Sequence, residues 1–157
     1  MGTILVAKAV KRSGSDTIMT SDDSLVRVAV ECGATPVEYF FTADTVANSV
    51  SEKTRLSETA EAVDMESFHI LEEARRHGVP AVAVRAVSDS ADRDMPLDFN
   101  RAIGKDGQIG LLPALSQVAA APARLPQMVR FGFESALAAR RFAHFLDRYL
   151  KCLMEIQ

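Results

Sequence analysis

Ala62-Val63-Asp64-Met65-Glu66-Ser67 and, some twenty residues on, Val84-Arg85-Ala86-Val87-Ser88-Asp89 are the stretches on which the fold turns. Each runs from apolar residues into a carboxylate. The first opens a helix at Met65-Glu66; the second closes a strand at Ser88-Asp89. Between them, Met65 to His77 has helical periodicity, with Ser67, Ile70, Leu71 and Ala74 on one face. Glu72, Glu73, Arg75 and Arg76 form the solvated face, and Gly78 followed by Pro80 stops the helix. Ala81 to Val87 is nearly all small or β-branched and apolar, the pattern of a strand covered on both faces. Strands alternating with helices imply crossovers and a mainly parallel sheet. An open α/β sheet keeps its chemistry beyond the carboxyl ends of its strands. Glu66 and Asp89 are therefore expected at the ends of neighbouring strands, in the site of an enzyme acting on small molecules.

Outward from this core, Ile4 to Val10 reads as a strand and Lys11 to Ser21, polar and glycine-containing, as a loop. Ser21 or Asp22 caps a helix from Asp23 to Cys32, striped by Leu25, Val28, Ala29 and Cys32, with Gly33 just past its end. Val37 to Thr42 and Ala60 to Val63 are the next strands, and Asn48 to Ser57 is weakly helical. Ser90 to Asp98 is a charged loop, and Leu111 to Ala121 a further helix. Leu125 to Leu153 is one long helix, its stripe formed by Ala138, Phe142, Phe145, Leu146, Tyr149 and Leu153. Nothing precedes Ile4 to Val10 to cover it. That strand is either an edge, which invites self-association and a homo-oligomer, or the survivor of a longer sheet.

Composition bounds the function. With 157 residues, 48% of them hydrophobic, the chain is expected to fold as one domain. A net charge of -3 argues against nucleic acid, whose binders display a basic face. No apolar run approaches the roughly 18 residues that span a bilayer. The last helix is expected to pack on the sheet rather than lie on a membrane surface. Cys32 and Cys152, the two cysteines, form no Cys-x-x-Cys pair and read as unrelated buried thiols in a reducing cytoplasm rather than as a disulfide.

Each candidate residue has two readings. Asp89 could be an acid whose carboxyl is raised by burial in a crevice, or a loop-capping aspartate. Glu66 sits where the helix dipole favours a carboxylate, so capping is its default and a substrate-hydroxyl acceptor the alternative. Arg85, in an apolar strand, needs a partner, and Asp64 or Glu66 could supply it as scaffolding of the site. Glu66 and His69 have a Glu-x-x-His spacing, but the second motif and facing carboxylates of a di-metal site are not in the sequence, so no metal is expected. Neither a Gly-x-Gly-x-x-Gly nor a Walker loop occurs, and no Gly-x-Ser-x-Gly elbow.

Thr42-Ala43-Asp44-Thr45-Val46-Ala47, the Met65-Glu66 block, Val79-Pro80 and Arg85 to Asp92 together resemble the nucleoside phosphorylase/nucleosidase superfamily, in spacing closest to its methylthioadenosine/S-adenosylhomocysteine nucleosidase branch. The tail, above all Pro122-Ala123-Arg124-Leu125-Pro126, is similar to the hopanoid-associated phosphorylase-like branch. The resemblance implies a three-layer α/β/α phosphorylase/hydrolase-like fold with a mainly parallel sheet. It also implies cleavage of the N-glycosidic bond of a purine nucleoside. Asp89 would then protonate or hydrogen-bond the leaving base and Ser88 would orient it. Glu66 would accept from ribose hydroxyls and Met65 would pack beneath the sugar. Val46 and Ala47 would border the base, with Val46 where the family has a stacking aromatic residue. No cofactor is implied, phosphate entering only as co-substrate if cleavage is phosphorolytic. Family members are longer at the amino terminus, where the anion loop lies, so residues 1–157 are expected to be the carboxyl-terminal portion of one such domain with impaired turnover. A catalytically silent nucleoside-binding or assembly module, or a truncated gene product, stands as the alternative.

Overall fold

In a computed structural model, described here for residues 1–102, 116–117 and 119–156, five strands form one sheet. β1 (Ile4–Arg12), β3 (Thr35–Thr42) and β4 (Ala62–Asp64) make its parallel body, with Ala7 opposite Val37 and Phe40 opposite Ala62. β2 (Ser15–Thr20) and β5 (Ala83–Ala86) both run antiparallel to β1 and share its other edge end to end, β5 along Ile4–Ala7 and β2 along Ala9–Arg12. Ser21 joins the two, its backbone N–H donating to Lys8 and its buried hydroxyl accepting from the Ala83 N–H at 3.2 Å.

Three sequence expectations change here. Strand β1 is the centre of the sheet, hydrogen-bonded on both sides, and not an open edge, so it offers no edge for self-association. The segment read as a loop contains β2, which turns back on β1 through Ser13-Gly14, with Gly14 at φ 67°. Only Met19 of β2 is buried, so the strand carried almost no apolar alternation to be read. Finally, β4 and β5 are not neighbours, since β3 and β1 lie between them in the hydrogen-bonded order.

Helices cover both faces. On one, β1 presents Ile4 and Val6 to α1 (Asp23–Glu31) and to the long helix α5 (Leu125–Ile156), which follows the short α4 (Phe99–Ala102) and whose Phe145 and Tyr149 fill the gap. On the other, Ala7, Val10, Phe40 and Met19 pack on Phe68 and Leu71 of α3 (Ser67–Arg76). The α5 stripe is the expected one: Ala138, Phe145 and Tyr149 are buried, with Phe142, Leu146 and Leu153 packed beside them. Asp22 caps α1 through the N–H groups of Ser24 and Leu25, and Gly33 at φ 93° ends it. The two cysteines are not unrelated: Cys32 at the end of α1 and Cys152 on α5 bring their sulfurs to 3.1 Å. Residues 111–115 of the helix expected at Leu111 to Ala121 lie outside the described residues. Among the described residues no helix is long and apolar enough to cross a membrane.

Phe145, 1% exposed, and Phe133, 75% exposed, sit on the same helix. Phe145→Ala is expected to cost about 3–5 kcal/mol in urea denaturation, whereas Phe133→Ala changes stability by no more than about 0.5 kcal/mol.

Candidate active site

Strand β4 ends in Asp64, and this carboxylate, 7% exposed, organises the site. Its Oδ1 accepts from the Thr42 hydroxyl of β3 at 2.8 Å and from the N–H groups of Glu66 and Ser67 at 3.2 and 3.1 Å. Its Oδ2 takes the Arg85 Nε of β5 at 2.9 Å. Asp64 thus does the N-terminal capping of α3 that the sequence reading gave to Glu66. Glu66 occupies the cap position but makes no side-chain capping bond, and its carboxylate is 66% exposed. The helix begins at Ser67 rather than Met65 for this reason: the chain is held by Asp64 until its first free N–H groups are satisfied.

Arg85 is paired as expected, and with both candidates: Asp64 at 2.9 Å and Glu66 at 3.4 Å. The guanidinium therefore joins the ends of two strands that share no ladder. Burial alone would lift the Asp64 carboxyl, but hydrogen bonds from Ser67 and Thr42 and the Arg85 charge outweigh it and hold the group below the usual carboxylate range.

Asp89 lies three residues past β5 and caps no helix. Its Oδ2 accepts from the Lys53 ammonium at 2.7 Å, and its Oδ1 from the Ser88 hydroxyl at a long 3.4 Å. The Asp89 carboxylate is thus met by an ammonium and a hydroxyl. Lys53 is the residue that sequence reasoning missed. It is 10% exposed, and its other hydrogen bonds go to the carbonyls of Ser90 and Arg93, at 3.1 and 2.8 Å. It projects from α2 (Val50–Ser57), a firmer helix than the sequence suggested. The helix buries no residue, but a reciprocal Ser49–Glu52 capping box and an Asp94 carboxylate on the Val50 N–H fix its start. Ser-x-x-Glu at 49–52 was the available signal.

All eight sequence candidates border one cavity of ≈ 390 Å³. Met65, Glu66, Asp64 and Arg85 line it together with Ser88, Asp89 and the loop carrying Val46 and Ala47. Asn100 clamps that loop, its side chain accepting from the Val46 N–H and donating to the Val46 carbonyl at 2.8 and 2.9 Å. Asn48 ties the same loop to the segment after Asp89, bonding Met95, Asp98 and Phe99. A second cavity adjoins the first at Lys53, Asp89, Ser90 and Met95 and is closed by Phe131 and Glu134 of α5. His69 is on the exposed face of α3, edge-on to Phe68. Among the described residues no three His, Cys, Asp or Glu side chains are grouped as metal ligands would be.

Residues 7–151 match the Phosphorylase superfamily. A 5′-methylthioadenosine/S-adenosylhomocysteine nucleosidase of Shewanella halifaxensis is 34% identical over 73 residues, which is 45% of this chain and 32% of that protein. In fold, the chain is similar to the nucleosidase of the same description from Neisseria meningitidis in complex with methylthio-immucillin-A, with a TM-score of 0.60 at 18% identity over 96% of this chain and 62% of that one. It is likewise similar to a futalosine hydrolase mutant of Helicobacter pylori, with a TM-score of 0.59 at 17% identity, covering 95% of this chain and 60% of the other. The chain thus spans about a third of the curated relative's length and about three fifths of these solved chains.

Because its folded pKa is depressed, Asp64 contributes stability above its unfolded value, near pH 4. That stability is lost as pH falls through the lower folded value. Asp64→Asn should cost about 1–3 kcal/mol at neutral pH. It should also flatten the fall in stability as pH drops below about 4, followed by chemical denaturation across pH. The length of the match at residues 7–151, with the sheet and cavity behind it, makes this chain a member of the phosphorylase superfamily.

Proposed function

We propose that the cavity bordered by Glu66 and Asp89 binds a purine nucleoside and positions it for cleavage of its N-glycosidic bond. The observation that carries this reading is that two carboxylates with different surroundings border one cavity: Glu66 is exposed and makes no capping bond, while Asp89 takes hydrogen bonds from Lys53 and Ser88. Breaking the bond leaves electrons on the base and positive charge on the ribosyl ring. A donor at the base and a negative charge at the sugar therefore lower the barrier. Asp89 protonates or hydrogen-bonds the imidazole side of the leaving base, and Ser88 orients it. Lys53 is a positioning residue: it occupies Oδ2 and leaves Oδ1, the oxygen nearer Ser88, to the substrate. Glu66 accepts from ribose hydroxyls and Met65 packs beneath the sugar. Val46 and Ala47 border the base, with less stacking area than an aromatic residue would give. Arg85 and Asp64 hold Glu66 and the start of α3 in place.

The electrophilic carbon is taken by water or, in phosphorolysis, by phosphate; no other co-reactant is needed. Slow turnover is expected of residues 1–157, which cover about three fifths of these solved relatives. Met95, Pro96 and Phe131 offer apolar lining in the adjoining cavity.

The test is calorimetric binding of adenosine and methylthioadenosine to the purified chain, with chromatographic detection of free adenine. Saturable binding is expected, weakened about tenfold or more by Glu66→Gln through loss of a charge-assisted hydrogen bond. Slow adenine release is expected to vanish in Asp89→Asn. Binding without any adenine would make the chain a silent nucleoside-binding module, and absence of saturable binding would overturn the reading altogether.

A further inference from the structure

The chain's two cysteines stand 120 positions apart in sequence, yet their sulfurs are 3.1 Å apart, the Cys32 thiol donating to the Cys152 sulfur. Cys32 forms the carboxyl cap of α1 and is 6% exposed; Cys152 lies near the end of α5 and is half-buried. Both pack on the cluster of Ile4, Val28, Phe145 and Tyr149, on the far side of the sheet from α3, and neither lines the two cavities described above. A buried thiol serves a core as a small hydrophobe, and packing alone gives no reason for two of them to meet. The contact needs only about one ångström of approach to reach the roughly 2.05 Å of a disulfide. Elsewhere along the pair, the Tyr149 hydroxyl of α5 donates to the Leu25 carbonyl in the first turn of α1, at 3.2 Å.

We propose that Cys32 and Cys152 are a redox site that closes to an intramolecular disulfide with a small-molecule disulfide such as oxidised glutathione, stapling the end of α5 to the end of α1. Cys152, the more accessible sulfur, reacts first. As thiolate it attacks one sulfur of the oxidant, forming a mixed disulfide and expelling one thiolate. Cys32 then gives up its proton and attacks the Cys152 sulfur, forming the Cys32–Cys152 bond and expelling the second thiolate. Two electrons pass from the cysteine pair to the oxidant, and both cysteine protons end on the two released thiols. Cys32 is the resolving residue and not the entry point. Burial, and then the hydrogen bond to Cys152, push its thiol up to about 11, so it resists direct attack by solvent-borne reagents. The nearby Arg148 guanidinium acts in the opposite sense and favours the Cys32 thiolate at the closing step.

Incubation of the full chain with oxidised glutathione, followed by thiol titration under denaturing conditions, intact mass and thermal melting, tests this. The expected result is joint loss of both thiols, a mass lower by two hydrogens, and one cross-linked peptide pair containing Cys32 and Cys152. Tm should rise by about 5–10 °C, reversed by dithiothreitol. Cys32→Ser should stop at one glutathionyl group on Cys152, and Cys152→Ser should take up none. A stable glutathione adduct on the unsubstituted chain, disulfide-linked dimers, or an unchanged or lower Tm after closure would each overturn the proposal.

Discussion

A single carboxylate, Asp64, ties the paired ends of β3 and β4 to helix α3 and to β5, with which β4 shares no backbone ladder. Its oxygens accept from β3 through Thr42, from the first turn of α3 through two backbone N–H groups, and from β5 through Arg85. Thr42 extends the same network by accepting the Phe68 N–H at 3.0 Å, which fixes the helix whose Phe68 and Leu71 close one face of the core. A buried charge is tolerated only when each lone pair is used. Here that requirement also releases Glu66 from capping and turns it toward the cavity.

Much of this was legible in the sequence wherever the information is local. The α1 cap, the stripe of α5, the stop at Gly78 and the need of Arg85 for a carboxylate are all set by residues within a few turns of each other or by a charge in an apolar run. What could not be read is non-local. Strand β2 is polar because it lies at the sheet margin, so its pattern resembles a loop. The sharing of one β1 edge by β2 and β5 follows from the Ser21 junction and not from any periodicity.

The site divides in the same way. Its carboxylates announce themselves by position, at the close of an apolar run and the opening of a helix. Lys53 does not: in sequence it is one charge on a polar helix, and only the return of residues 89–93 beneath it makes it a buried ammonium with three oxygen acceptors. Asn48 is similar, an ordinary loop residue until the segment from Met95 to Phe99 reaches it.

The contrast between α2 and α3 carries a further consequence. Helix α3 is anchored by buried phenylalanine and leucine, whereas α2 buries no residue and is kept in place by its caps and by the Lys53 hydrogen bonds. Hydrogen bonds without apolar burial give the lowest opening free energies in a protein. The Lys53 side of the cavity is therefore expected to open locally at lower cost than the Asp64 side, which is packed on the core. One wall of the site is a fixed template and the other an adjustable clamp, so amide exchange slowed in α2 but not in α3 would be the signature of an occupied cavity.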